Sequence, residues 1–173
     1  MGLFGGRKQE PSARNPEEAR ENAIDAWREM LVKDLERRFE EPFVSRALGA
    51  AIAKSVKVLC REAPETAKQA GPTGLAEHAL GQIASRRDIV VKDAAKTIMA
   101  MYATVVMPSD PEIVALAEAS GRTGLMREYF FAEFAEKQMP QWIGLAEAGY
   151  EEALTVATAK DSKDRLAAHL LKA

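Results

Sequence analysis

The chain has 173 residues, 47% apolar and 29% charged, and its 24 Lys and Arg against 26 Asp and Glu leave a net charge of −2. That balance belongs to a folded domain rather than a disordered segment, and it argues against a strongly basic nucleic-acid coat or an acidic tail. The length suits one well-buried domain, and one cysteine, Cys60, provides no internal disulfide.

Residues 1–14 read as a short flexible tail, carrying the apolar pair Leu3-Phe4 followed by Arg7 and Lys8. The stretch has no apolar run of signal length, and Gly6 stands where a myristoylation motif wants Ser or Thr. Helical signals then begin. Asn15 suits an N-cap, Pro16 the first helical position, and Glu17 and Glu18 the positive end of the helix dipole. Ile24, Trp27, Leu31, Leu35 and Phe39 recur at spacings of 3 and 4, so a helix is predicted to about Glu40, before Pro42. Asp34–Arg38 and Glu29–Lys33 have the spacing of i,i+4 ion pairs.

A second helix is predicted over about Phe43–Glu62, with Val44, Leu48, Ile52, Val56 and Leu59 in register. Its Ala47, Gly49, Ala50, Ala51 and Ala53 are small enough for close helix contact. A third amphipathic segment runs from Leu75 to about Ser85. Asp93–Met101 reads as helix, whereas Tyr102–Met107 holds strand-like residues before Pro108, and periodicity leaves both readings open there. Ser109 or Asp110 caps a helix to Ala119, and Gly121 and Gly124 mark its end. Helices over about 124–138, 141–159 and 162–172 complete the chain. The expected fold is therefore all-α: a single helical bundle of six to eight amphipathic helices at 15–173, behind the tail.

The longest charge-free run, Thr97–Ser109, has 13 residues and is too short to span a bilayer, so a cytoplasmic protein without a membrane span is expected.

Chemistry-bearing motifs are sparse. His78 and His169 have Leu75 and Leu166 three residues before them, not the Glu of a di-iron bundle. Cys60 falls in an apolar register, which suggests a buried thiol. No nucleophile elbow, P-loop or dinucleotide fingerprint occurs. No catalytic residue, metal site or cofactor is expected; a haem held by His78 is the weakest of three functional readings.

The segment from Tyr102 to Lys137 suggests another. Val105-Val106-Met107-Pro108, then Ala117-Glu118-Ala119-Ser120-Gly121-Arg122-Thr123, then Arg127-Glu128 resemble the strand, helix end and second-helix start of a ribbon-helix-helix DNA-binding module. The resemblance implies a strand paired with its copy in a dimer and inserted in the major groove. It spans about 36 residues, and neither set of alternate strand positions carries the Arg, Lys, Asn or Gln that reads base edges. Nucleic-acid contacts on this reading would fall on Arg122 and Thr123, or on Arg86, Arg87 and Lys92.

The densest feature is aromatic. Tyr129, Phe130, Phe131, Phe134 and Trp142 fall within 16 positions, Arg127–Trp142. At about 100° per residue, Met126, Phe130 and Phe134 form one seam, with Tyr129 and Phe131 on opposite flanks. Rings spread over about 200° exceed what one-sided packing needs. A central helix packed on several sides is the first expectation and a protein-binding flank the second. The preferred function is a non-enzymatic interaction protein, a small subunit or adaptor of a larger assembly. Its partner is another protein chain, a second copy or a different one, contacted through Leu3, Phe4, Tyr129, Phe131 and Trp142.

Overall fold

The computed structural model describes residues 15–173, all of it α-helical in class. Among these residues the helices are α1 (Pro16–Glu36), α2 (Pro42–Glu62), α3 (Glu65–Gln69), α4 (Gly71–Gln82), α5 (Arg87–Met101), α6 (Pro111–Ala119), α7 (Leu125–Glu136), α8 (Met139–Thr158) and α9 (Lys160–Leu171). Helix α3 is a single turn; the other eight match the expected range. The tail at 1–14, with Leu3 and Phe4, lies outside the described residues.

Local chemistry sets most boundaries. The Asn15 side chain accepts a hydrogen bond from the Glu17 N–H at 3.1 Å, and Pro16 opens α1 without needing a donor. Asp110 caps α6 in the same way, accepting from Glu112 at 2.9 Å and Ile113 at 3.4 Å. Helix α6 ends with Gly121 at φ 70°, where the Arg122 N–H donates to the Ala117 carbonyl and the Gly121 N–H to that of Glu118. That left-handed glycine turns the chain so that its own N–H and the next cap carbonyls at the helix end.

Helices α1, α2, α4, α5, α8 and α9 enclose the main core. Trp27, Leu31 and Leu35 of α1 share this core with Leu48, Ile52 and Val56 of α2, Ala94 and Ile98 of α5, and Ala146, Tyr150 and Ala153 of α8. Close crossings depend on glycine. A Cβ at Gly49 would stand 2.6 Å from Val32 Cγ2, and one at Gly149 would stand 2.9 Å from Leu48 Cδ1 and from Phe39 Cε1. Phe39 thus packs against α8 rather than extending α1, which stops at Glu36 and not near Glu40.

Polar contacts tie distant segments. Trp27 donates its indole N–H to the Ser162 hydroxyl at 3.1 Å and carbonyl at 3.2 Å, linking α1 to α9. Asp34 pairs with Arg37 at 2.9 Å and with Arg165 of α9 at 2.6 Å, while its expected partner Arg38 lies 3.8 Å from Glu152 of α8. Interhelical carboxylate geometry outweighs the i,i+4 spacing here.

The segment Tyr102–Val106 is not a strand. It continues α5 as a π-helical turn, with the Met107 N–H donating to the Tyr102 carbonyl, followed by a 3₁₀ turn over Met107–Ser109. Its β-branched residues favour extension locally, but anchors at both ends prevail. The Tyr102 ring lies 4.7 Å from that of Trp142 and 6.2 Å from that of Phe43, and Met107 is buried in a second core. Tyr102 is partly buried against both cores, so the wider turn lies at their junction.

Candidate interaction surface

The second core is small. Only Met107, Ala117, Phe131 and Ala135 are fully buried in it, with Ile113, Val114, Phe130 and Phe134 partly covered. It joins the π-turn, α6 and α7 into an appendage at one end of the bundle. Trp142 is the junction: it is 5% exposed, packs into the main core, and donates its indole N–H to the Ala135 carbonyl at 2.8 Å.

Helix α7 begins at Gly124, whose φ of 56° and ψ of −133° are open to glycine alone. Its inward face is Phe131 and Ala135, one turn apart, which corrects the seam expected through Met126, Phe130 and Phe134. Phe131 is 2% exposed, whereas Met126 is 50% exposed and Phe130 and Phe134 are half-buried, their rings stacked at 6.0 Å. Phe131 and Trp142 are therefore core residues, corrected from the expected contact set because packing uses their whole side chains. The helix is also peripheral, not central: it packs on one side, so it cannot bury an arc of about 200°.

Tyr129 is the expected contact residue that faces solvent, at 68% exposure. Leu125, 72% exposed, and Met126 join it, and at about 100° per residue the three fall within about a quarter of the helix circumference. Glu133 and Glu136 continue the same arc in the following turns, and exposed Glu128 borders it. Lys137 holds Glu133 at 3.0 Å and keeps its carboxyl below the ordinary range, first through that hydrogen bond and then through charge. Glu128 and Glu136 have no cation within 4.0 Å among the described residues. Val105 on the π-turn and Leu116 on α6 are further exposed apolar residues of the appendage. The sequence reading missed Leu125, and it placed Met126 inside. The usable signal was the arc itself, since a face alternating apolar residues with Glu133 and Glu136 is a solvent face.

The residues of the nucleic-acid reading are dispersed. Arg86 pairs with Glu62 at 3.2 Å. Arg87 lies 3.5 Å from Glu147, 3.8 Å from Asp88 and 4.0 Å from Glu151, with its guanidinium over the Tyr150 ring at 5.5 Å. Lys92 is exposed on α5; Arg122 and Thr123 sit in the α6–α7 turn. Helical winding of Tyr102–Val106 removes the strand that the ribbon-helix-helix resemblance requires.

Cys60 is buried, and desolvation pushes its thiol up from 9.0 to about 11 despite the opposing charge of Arg20. The His169 Nδ1 lies 2.8 Å from the Arg165 carbonyl oxygen, and His78 is half-buried on α4. Among the described residues, no group of three or more His, Cys, Asp or Glu is arranged to hold a metal, and no helix is long and apolar enough to cross a membrane. No protein-family model matches the chain, and neither a curated protein nor a solved structure matches it.

Proposed function

We propose that this chain is a non-enzymatic helical interaction protein, a small subunit or adaptor of a larger cytoplasmic assembly, which binds another protein chain through the outer face of α7. The observation that carries the reading is the exposure of Leu125, Met126 and Tyr129 side by side on a helix whose opposite face is already packed. Isolated apolar residues on a surface need no explanation, but three neighbours including an aromatic ring make an interface anchor. Tyrosine suits that role, because it offers a large apolar area with a polar tip and little conformational entropy to lose. The buried setting of Cys60 and the backbone contact of His169 support a structural rather than catalytic use of those groups.

The test is affinity capture from a cell extract with immobilised full-length chain, compared with the L125S/Y129S double variant and with Lys160→Ser on α9. The expected result is a set of proteins retained by the wild type and by Lys160→Ser and lost by the double variant. Equal retention by all three proteins sinks the assignment of the face.

A further inference from the structure

We propose that the outer face of α7 receives the Leu3-Phe4 segment of a second copy of this chain, so that copies associate head to tail. This rests on the interaction reading above and names the occupant of the same face.

Chemical fit is the first argument. The face presents Leu125, Met126 and Tyr129, followed along the helix by Glu133 and Glu136. The N-terminal segment presents Leu3-Phe4 followed by Arg7 and Lys8. Apolar groups meet apolar groups and cations meet carboxylates in the same order. The spacing also agrees. Tyr129 to Glu136 is about 10 Å at a rise of 1.5 Å per residue. Phe4 to Arg7 is also about 10 Å in an extended chain. With Phe4 against Leu125 and Tyr129, Arg7 and Lys8 reach Glu136, the carboxylate that Lys137 does not hold.

The second argument is reach. The segment joins the fold at Asn15, beside Glu17, which pairs with Arg61 at 3.2 Å near the end of α2. Helix α7 lies at the other end of α2, where Phe43, Tyr102 and Trp142 form an aromatic chain. From Phe43 to Arg61 the helix rises about 27 Å. A further interhelical step of about 10 Å, taken across that axis, makes the straight-line separation about 30 Å. Phe4 precedes Asn15 by 11 residues, which span at most about 40 Å when fully stretched. Docking within one chain therefore needs the segment largely extended along the outside of the bundle. A second copy supplies the segment without that constraint. Because the donor segment and the acceptor face are different parts of the chain, the contact is heterologous and propagates into rings or open chains.

The experiment is light scattering on size-fractionated full-length protein over a concentration series, with Phe4→Glu, Tyr129→Glu and their equimolar mixture. The wild type is expected to exceed its monomer mass of 18.9 kDa increasingly with concentration, and less so at raised ionic strength. Each variant alone is expected to associate at least tenfold more weakly. Their mixture is expected to form a species of twice the monomer mass and stop there, since each supplies the half the other lacks. A monomeric wild type, a Phe4→Glu chain that associates as the wild type does, or a mixture that stays monomeric overturns the proposal. Circular dichroism checks that Tyr129→Glu is folded, and Leu125→Glu replaces it if it is not. A monomeric wild type beside extract capture that depends on Leu125 and Tyr129 rejects the second copy and leaves the interaction reading standing.

Discussion

Helices α1 and α7 both carry aromatic and aliphatic residues at helical spacing, yet they end in different places. Helix α1 buries Ala23, Ile24, Trp27, Leu31 and Leu35, with neighbours on α2, α8 and α9. Helix α7 buries only Phe131 and Ala135, against a core of four fully buried residues, two of them alanines. The difference is one of available partner surface, not of helix composition. A helix with neighbours around it can bury a wide arc, whereas one docked at the end of a bundle covers a narrow stripe and leaves the rest to solvent. Stability follows burial, so the bundle and the α6–α7 appendage should open at different free energies.

The largest effect should come from the bundle. Trp27→Ala removes the bulkiest fully buried side chain together with its bonds to Ser162, and should cost about 3–5 kcal/mol of global stability by denaturant unfolding. A cost confined to the α9 end would break the view of the six helices as one cooperative unit. Cys60 probes the same unit by pH. Its pKa is raised in the folded state, so the unfolded chain loses the proton first as pH rises. Stability should be constant below about pH 9 on account of this group and fall by about 2 kcal/mol by pH 11. Cys60→Ala should remove that part of the fall, leaving the decline that Tyr102 and Tyr150, also raised chiefly by burial, contribute at higher pH. Unfolding midpoints across that range, wild type against variant, measure it.

Smaller effects should localise to the appendage. Trp142→Phe keeps most of the ring but deletes the bond to the Ala135 carbonyl, at a cost of about 1–2 kcal/mol. Hydrogen exchange should accelerate in α7 well before α1 or α2; uniform acceleration would show that the appendage does not open separately. Asp110→Ala removes the α6 cap and should cost about 1 kcal/mol, again read as faster exchange at the start of α6. Tyr129→Ser should change unfolding by less than about 0.5 kcal/mol, because an exposed ring contributes little to the monomer. A loss several times larger would mean that the face is packed in solution and is not an interface.

Much of the helix order was legible because it rests on short-range chemistry. Asn15 and Asp110 cap where a short polar side chain precedes a proline, and Gly121 ends α6 because its left-handed φ closes the helix end. The inward faces of α1 and α2 follow from spacing, since the large apolar residues of both helices find partners on several neighbouring helices. The same rule misplaced α7 by one residue, because periodicity ranks the apolar arc of a helix but not how much of that arc a neighbour covers.

Sequence by itself determined that this chain is helical, where most helices begin and end, and which residues of α1 and α2 form the core; each depends on interactions within a few residues or on a repeat. Tertiary structure alone decided three things. It wound Tyr102–Val106 into a π-turn, because packing of Tyr102 against both cores and burial of Met107 in the second outweigh the extended preference of Thr104, Val105 and Val106. It sent Phe131 and Trp142 inward, where a small second core and the Ala135 carbonyl receive them. And it left Leu125, Met126 and Tyr129 outside, because exposure is set by where neighbouring helices stop, a non-local quantity that no short stretch of residues encodes.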